Sequence, residues 1–443
     1  MRAIYSLLLV LVRPFVHLRL KWRARQSAAY GERTAERFGH VPAGIPCGAL
    51  WFHTVSAGET IAAAPLINKL VADLAEQNIP VLVTTMTPTG SAEVTRLLGD
   101  SAAHCYAPYD FSDSVRRFLD ATRPRALVLV ETEIWPNMIT LSARRDIPIA
   151  LINARLSERS ARGYRKVRPL LNPVLGDLSW IACQYPADAQ RFRELIASGT
   201  QVEVVGNLKF DVVDVPVVAE QAEQLRLIQT KAGLAKRPVW IAGSTHKGED
   251  PIVLDAHRQV LEQEPDACLI LVPRHPERFT EVYELAATQF STARLSDWLK
   301  KGDSLPISPT EKVGAEKPEV LIADVMGLLR SLYGLAQVAF VGGSLVDIGG
   351  HNPIEAAVAK LPVLMGAGRH NFLTVCEKFA EAGCLHRVTD AQQISAQVLA
   401  LLSDDIERKQ QGERAAALVA EHSGATERLR RQLARIVAQT APH

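Results

Sequence analysis

From residue 50 onward the chain repeats one pattern: a short apolar run rich in Val, Ile and Leu, a polar cluster, then a stretch with helical periodicity. Residues 50–55, 81–85, 126–130, 149–153, 180–183 and 202–205 form a first series of such runs. A second series opens near Val239 with VWIAGS and continues through CLILVP, VLIAD, VAFVGG and PVLMGA. Strands that alternate with helices pair in parallel, because each crossover helix packs back over the sheet. Runs that are apolar at nearly every position suit strands covered on both faces. The pattern therefore predicts an α/β fold of two Rossmann-like, doubly wound domains, expected to face a central cleft.

A chain of 443 residues exceeds one ordinary core, which agrees with two series. The expected divisions are an N-terminal segment at 1–25, a first domain at 26–209, a linker with a connecting helix at 210–237, and a second domain with terminal helices at 238–443. With 47% hydrophobic and 22% charged residues the chain is globular, and a net charge of +2 argues against a broad nucleic-acid surface. No nucleic-acid partner is expected. Six cysteines lie scattered without CxxC spacing, the usage of a reducing compartment and of a protein without a structural metal.

The N-terminus departs from an ordinary soluble profile. Residues 4–12, IYSLLLVLV, are followed by Arg13 and Pro14 and then by Arg19, Lys21, Arg23 and Arg25. A spanning helix needs roughly 20 apolar residues, and this run is interrupted early. Basic residues that follow the apolar run, with no small-residue cleavage site, argue against a signal peptide. Two readings stand: an uncleaved anchor, or an amphipathic segment lying in one leaflet with its basic cluster at anionic headgroups.

Chemistry in doubly wound folds gathers at the carboxyl ends of strands, so polar residues there carry the most information. WFHTVSAGET runs from an apolar stretch into a helix start, and its Ser56 and Glu59 have the spacing of a capping box. TMTPTGS places Thr87 and Pro88 at another helix start, and LVLVETEIWPN delivers Glu131 and Glu133 two residues apart, on one face of an extended segment. Arg155, Arg159 and Arg162 then form a stripe with Arg165 and Lys166 close behind, suited to an anionic acceptor, a membrane surface or plain solvent. Lys209 stands at the end of the first domain in GNLKFD.

In the second series WIAGSTHKGE offers Ser244, Thr245 and His246 as donors, and ILVPRHPERF brings Arg274 and His275 out of a strand. Arg274 suits a phosphate because its fork of donors stays charged at any working pH. VAFVGGSLVDIGGHNPIEAA adds Gly349 and Gly350 for close backbone approach, with Asn352 expected as N-cap, Pro353 at the first helical position and Glu355 in the first turn. Such a start offers amides to a phosphate and a carboxylate to ribose hydroxyls, and it also reads simply as a well-capped helix.

Taken in order, HTVSAGE, TTMTPTGS, ETEIWPN, NARLSERSARGYR, GNLKFD, STHKGE, VPRHPERF and GGSLVDIGGHNPIE resemble the 3-deoxy-D-manno-octulosonic acid (Kdo) transferases of Gram-negative bacteria. The resemblance runs from the N-terminal segment to near the end of the second domain. It implies a GT-B glycosyltransferase fold, an acceptor-binding first domain, a donor-binding second domain, and a place on the cytoplasmic side of the inner membrane. It also implies an inverting transfer of Kdo from CMP-Kdo to the lipid A precursor (lipid IVA), with no cofactor and no metal.

Carried over residue by residue, the resemblance makes Glu59 the catalytic base, with Glu131 and Lys209 assisting the transition state. Pro273 and Arg274 match CMP-contacting positions, as do Asn352, Pro353, Ile354 and Glu355. Another CMP-contacting segment reads Met-Gly-Glu in the family, whereas this chain has Met326, Gly327 and Leu328, so any contact there must come through backbone or be replaced. A base that also closed the capping box would be turned away from an acceptor. The expectation is therefore that Ser56 caps the helix while Glu59 stands clear of the cap and faces the cleft. Another GT-B nucleotide-sugar transferase or epimerase, or a non-catalytic membrane-associated nucleotide-binding protein, stands as the alternative.

Overall fold

Leu50, Trp51, Phe52 and His53 are all buried, as a strand paired on both edges and covered on both faces must be. In the computed structural model, which describes residues 2–196, 199–211, 219–299 and 317–440, this strand β1 (Leu50–His53) is an interior strand of a seven-stranded parallel sheet. The others are β2 (Val81–Thr85), β3 (Ala103–Tyr106), β4 (Ala126–Val130), β5 (Ile149–Ala154), β6 (Trp180–Cys183) and β7 (Gln201–Val204). Their order is β3-β2-β1-β4-β5-β6-β7, so the direction of winding reverses beside β1. A crevice opens at such a reversal, outside the carboxyl ends of β1 and β4.

A second parallel sheet is built from β8 (Val239–Thr245), β9 (Cys268–Pro273), β10 (Thr292–Arg294), β11 (Val320–Ile322), β12 (Val338–Val341), β13 (Val363–Met365) and β14 (Leu385–Arg387). Its order, β10-β11-β9-β8-β12-β13-β14, reverses beside β8. Both sheets are therefore doubly wound, as the alternating pattern predicts. The strands absent from the sequence reading, β3, β10 and β14, are all sheet edges. Edge strands are short and half-covered, so AHCY, TAR and LHR carry no continuous apolar run.

The predicted division of the chain needs two corrections. The described residues form two units, one running to Asp211 and taking up the chain again from His422, the other running from Ala219 to Glu421. The last helix, Ala425–Ala438, thus belongs with the first sheet and not the second. Its Leu429, Leu433 and Val437 join the core of Leu66, Leu70 and Leu74, and Arg430 pairs with Asp73 at 2.6 Å. The Asp211 carboxylate accepts the Gly424 amide at 2.6 Å and the Thr426 amide, fastening the returning chain. The predicted connecting helix exists as Ala219–Lys231 but forms part of the second unit; residues 212–218 of the expected linker lie outside the described ones.

The N-terminal segment is one helix, α1 (Arg2–Gln26), which runs through Pro14 without a break. By length and composition it suffices to cross a membrane, and it carries the largest row of exposed apolar side chains on the first unit. Five of the six cysteines are buried and all are free, as the spacing implies.

Candidate active site

In the first unit β1 feeds helix α2 (Ala57–Ala75) through Thr54, Val55 and Ser56. Ser56 is the N-cap: its Oγ accepts the Glu59 amide at 3.4 Å. The same hydroxyl donates to Glu59 Oε1 at 2.8 Å, and the Val55 amide donates to Oε2 at 2.6 Å. The expectation of a Glu59 standing clear of the cap is therefore overturned. The carboxylate closes a reciprocal cap, reaching one residue further back than the usual amide because the chain before Ser56 is extended.

Capping has not made Glu59 an ordinary carboxylate. It is 8% exposed, and burial pushes its pKa up to about 8. The Ser56 and Val55 hydrogen bonds oppose the rise, while the charges of Glu131 and Glu133 add to it.

Those two neighbours follow β4. The strand ends at Val130, and Glu131 turns into the left-handed region at φ 62°, so the two carboxylates do not lie along an extended segment as expected. Non-glycine residues occupy that region at a cost, and here the Glu131 amide is held by the Ile152 carbonyl at 2.9 Å. Glu131 Oε1 lies 3.7 Å from Lys209 Nζ, and Glu133 Oε2 accepts the Trp135 indole N–H at 2.7 Å. Burial raises the pKa of Glu133, against its bond to Trp135 and with the help of Glu131.

Lys209 reaches this group because Asn153, at φ 52° beyond the middle of β5, accepts the Leu208 amide at 3.1 Å and folds the chain after β7 back over the sheet. Glu59, Glu131 and Lys209 thus meet in one unit. His53, inside a quoted motif but not singled out there, is buried beside them: Nδ1 lies 3.0 Å from Thr84 Oγ1 and the ring edge meets Trp135. Burial lowers its pKa to about 4, so it is neutral at pH 7. Thr87 and Pro88 open helix α3 (Pro88–Leu98) as expected, and Thr87 caps it by accepting the Gly90 amide at 3.0 Å. Of the arginine stripe, Arg159 and Arg162 are exposed on the helix Glu158–Lys166, while Arg155 precedes it.

The second unit centres on a residue that sequence reasoning passed over. Glu249 is fully buried, and its carboxylate accepts the amides of His246, Gly343, Ser344 and Leu345 at 2.7–3.0 Å. It clamps the loop after β12 to the loop after β8. The sequence signal is an acidic residue following Gly248 at a helix start, identical in appearance to a dipole-complementing Glu.

Around this clamp stand His246, His275 and His351, with His246 and His351 sharing an Nε2···Nε2 contact of 2.7 Å. Burial, then the neighbouring His246, Arg274 and His275, lower the pKa of His351 to about 4. Pro273 ends β9, and Arg274, exposed beyond it, donates its amide to the Thr245 carbonyl at 3.0 Å. Its guanidinium also acts on Glu355, whose pKa is raised by burial against the pull of Arg330, Asn352 and Arg274.

Asn352 does not cap as expected. Its Oδ1 accepts the Ile354 amide at 3.0 Å, Pro353 takes the capping place, and the helix Ile354–Val358 is a single turn. A single turn carries little dipole, so phosphate affinity here must come from side chains and loop amides. Gly349, at φ 99°, is required by the fold itself: a Cβ there would come within 2.4 Å of His370 Nε2. In the departing segment Met326 is exposed, Gly327 has φ 87° and Leu328 is buried. Leu328 leads into the turn Leu329–Leu332, which carries Arg330 towards Glu355.

The first unit thus offers a buried carboxyl with its pKa raised to about 8 beside a second carboxylate and a cation, a set suited to taking a proton from a hydroxyl. The second offers Arg274 and Arg330 about the Glu355 carboxyl, with the His246 and His351 imidazoles near Arg274, a set suited to a nucleotide phosphate and its ribose.

Residues 32–212 match a family model described as 3-Deoxy-D-manno-octulosonic-acid transferase (kdotransferase). The chain is 35% identical over 432 residues to the 3-deoxy-D-manno-octulosonic acid transferase of Haemophilus influenzae, covering 97% of each chain. To that of Bordetella pertussis it is 35% identical over 442 residues, covering 96% of this chain and 97% of the other. Among solved structures, UDP-GlcNAc 2-epimerase from Neisseria meningitidis aligns with a TM-score of 0.52 at 12% identity, covering 88% of this chain and all of the other. A spinosyn rhamnosyltransferase aligns at 0.50 with 13% identity, covering 87% of this chain and all of the other. At such identities these two share the fold alone, which is GT-B. With full-length relatives above a third identical and two doubly wound sheets, the chain belongs to the Kdo transferase family, glycosyltransferases that carry out Kdo transfer in lipopolysaccharide synthesis.

Proposed function

We propose that this chain moves Kdo from CMP-Kdo to the lipid A precursor by a single inverting displacement at the cytoplasmic face of the inner membrane, without a cofactor. The observation that carries this reading is Glu59: a buried carboxyl at the winding reversal of the first sheet, with its pKa raised to about 8. A group of that pKa accepts a proton near physiological pH far better than an ordinary carboxylate.

In this reading the acceptor hydroxyl gives its proton to Glu59 as its oxygen bonds to the anomeric carbon. The bond from that carbon to the phosphate oxygen breaks on the opposite face, and CMP leaves with the electron pair. Lys209, ion-paired with Glu131, supplies positive charge where negative charge develops. Arg274 and Pro273, the Met326, Gly327 and Leu328 backbone, and Asn352, Pro353, Ile354 and Glu355 hold the nucleotide.

The exposed arginines Arg159 and Arg162 support an anionic acceptor, and α1 supports a membrane location. The experiment is CMP release from CMP-Kdo by purified protein with and without lipid IVA. Acceptor-dependent CMP release is expected; none in the presence of lipid IVA would overturn the reading.

A further inference from the structure

The six apolar residues Ile4, Leu8, Leu11, Phe15, Leu18 and Trp22 recur at intervals of four and three along α1, which puts them on one side of the helix, and all are exposed. The opposite side is fastened to the first unit. Leu9, Val16 and Leu20 pack against Phe38, Tyr109 and Phe111, and His17 stacks on Phe38 at 4.3 Å.

The polar groups on that fastened side are what decide the matter. Tyr5 donates to Asp110 at 3.0 Å, and Ser6 donates to Asn137 at 2.9 Å. Arg13, midway along the helix, pairs with Asp113 at 3.0 Å while its guanidinium lies over the rings of Phe38 and Phe111. A helix that crossed the bilayer would have to leave all of these, carrying Arg13 towards the middle of the hydrocarbon without its partner. It would also strip Asp110 and Asn137 of α1. Both are buried and both hold the start of the helix Pro136–Ala143: Asp110 accepts the amides of Asn137 and Met138 at 2.9 and 2.7 Å.

We propose that α1 does not span the membrane but lies in its plane, sinking the Ile4-to-Trp22 row into one leaflet while its other side remains docked on the first unit. The occupant of this face is a leaflet containing anionic lipid. Arg19, Lys21 and Arg25 flank the apolar row and are exposed, where they can meet anionic headgroups, and Trp22 has the interfacial preference of an amphipathic ring. The helix Pro136–Ala143, which follows the Glu131 and Glu133 loop, is thereby held at a fixed distance from the membrane surface. This inference concerns topology and stands apart from the assignment of donor and acceptor.

Two measurements test it on the full chain. With an epitope tag at the N-terminus, protease added to intact spheroplasts is expected to leave the tag whole and to remove it once the inner membrane is permeabilised. Cleavage in intact spheroplasts places the N-terminus across the membrane and overturns the proposal. In flotation with vesicles of phosphatidylethanolamine and phosphatidylglycerol, Leu11→Asp together with Phe15→Asp is expected to lower vesicle binding at least tenfold. These side chains are 63% and 71% exposed, so the melting temperature should not move. Undiminished vesicle binding by this variant would equally overturn the in-plane reading.

Discussion

Ser56 and Glu59 hold each other: the hydroxyl accepts the Glu59 amide at 3.4 Å and donates to its carboxylate at 2.8 Å. Helix cap and candidate base are therefore one device. The cap fixes the carboxylate at the end of β1, while burial and two neighbouring carboxylates keep its proton on to higher pH than usual. Fixing a base in place before the acceptor arrives removes one reorganisation from the reaction.

Glu59→Gln keeps the cap's shape and removes the proton acceptor. Transfer should fall by roughly 10²- to 10⁴-fold with CMP affinity unchanged, checked by CMP release and by calorimetry. In the wild type, kcat/KM should rise with pH and level off above about 8, because the base must be unprotonated to act. A variant with near-wild-type turnover removes Glu59 from the mechanism.

The same group makes stability depend on pH with a definite sign. Its folded pKa of about 8 exceeds the ordinary 4.5, so between those values the native state binds the proton that the unfolded state releases. Stability due to Glu59 is full below pH 4.5 and is lost as pH rises towards 8, at up to about 1.4 kcal/mol per pH unit. Glu59→Gln should flatten that part of the profile in urea unfolding; an identical slope in both proteins would show that the proton is not held there.

Arg274 is exposed and its guanidinium is available to an anion. Arg274→Ala should weaken CMP binding by roughly 10- to 100-fold, the loss of one charge-assisted contact, with little change in melting temperature. Unchanged CMP affinity in a titration would contradict the role.

Glu249 carries four amide bonds in a fully buried place. Glu249→Gln sets an amide against two of those donors and should destabilise the second unit by about 2–4 kcal/mol, visible in denaturant unfolding. CMP affinity should fall with it, since His246 and the loop after β12 are what the clamp holds together. A variant as stable as the wild type would show that the clamp is dispensable.

The residues read from motifs were legible because their signals are local. Glu131, Arg274 and Glu355 sit at strand or helix ends whose position follows from periodicity. What those side chains do there was less legible. Glu249 looks like any acid at a helix start, and His53 like any polar residue at a strand end, until the neighbouring strands and loops are in place. The fate of Glu59 could not be read from Ser-x-x-Glu spacing, because cap and base share that spacing and differ in burial, which is a property of the surroundings.

By itself, then, the sequence determined the alternation of buried strands and helices, the two series, the cap at Ser56, the helix start at Thr87 and Pro88, and the apolar row of α1, since each is a preference of neighbouring residues for one backbone shape. Tertiary structure alone decided that β4 lies beside β1, so that Glu131 and Glu133 raise the pKa of Glu59. It also decided that Asn153 folds Lys209 back to Glu131, that the last helix returns to the first sheet, and that Tyr5, Ser6 and Arg13 dock α1. These depend on which distant surfaces exclude water together, and no window of adjacent residues holds that information.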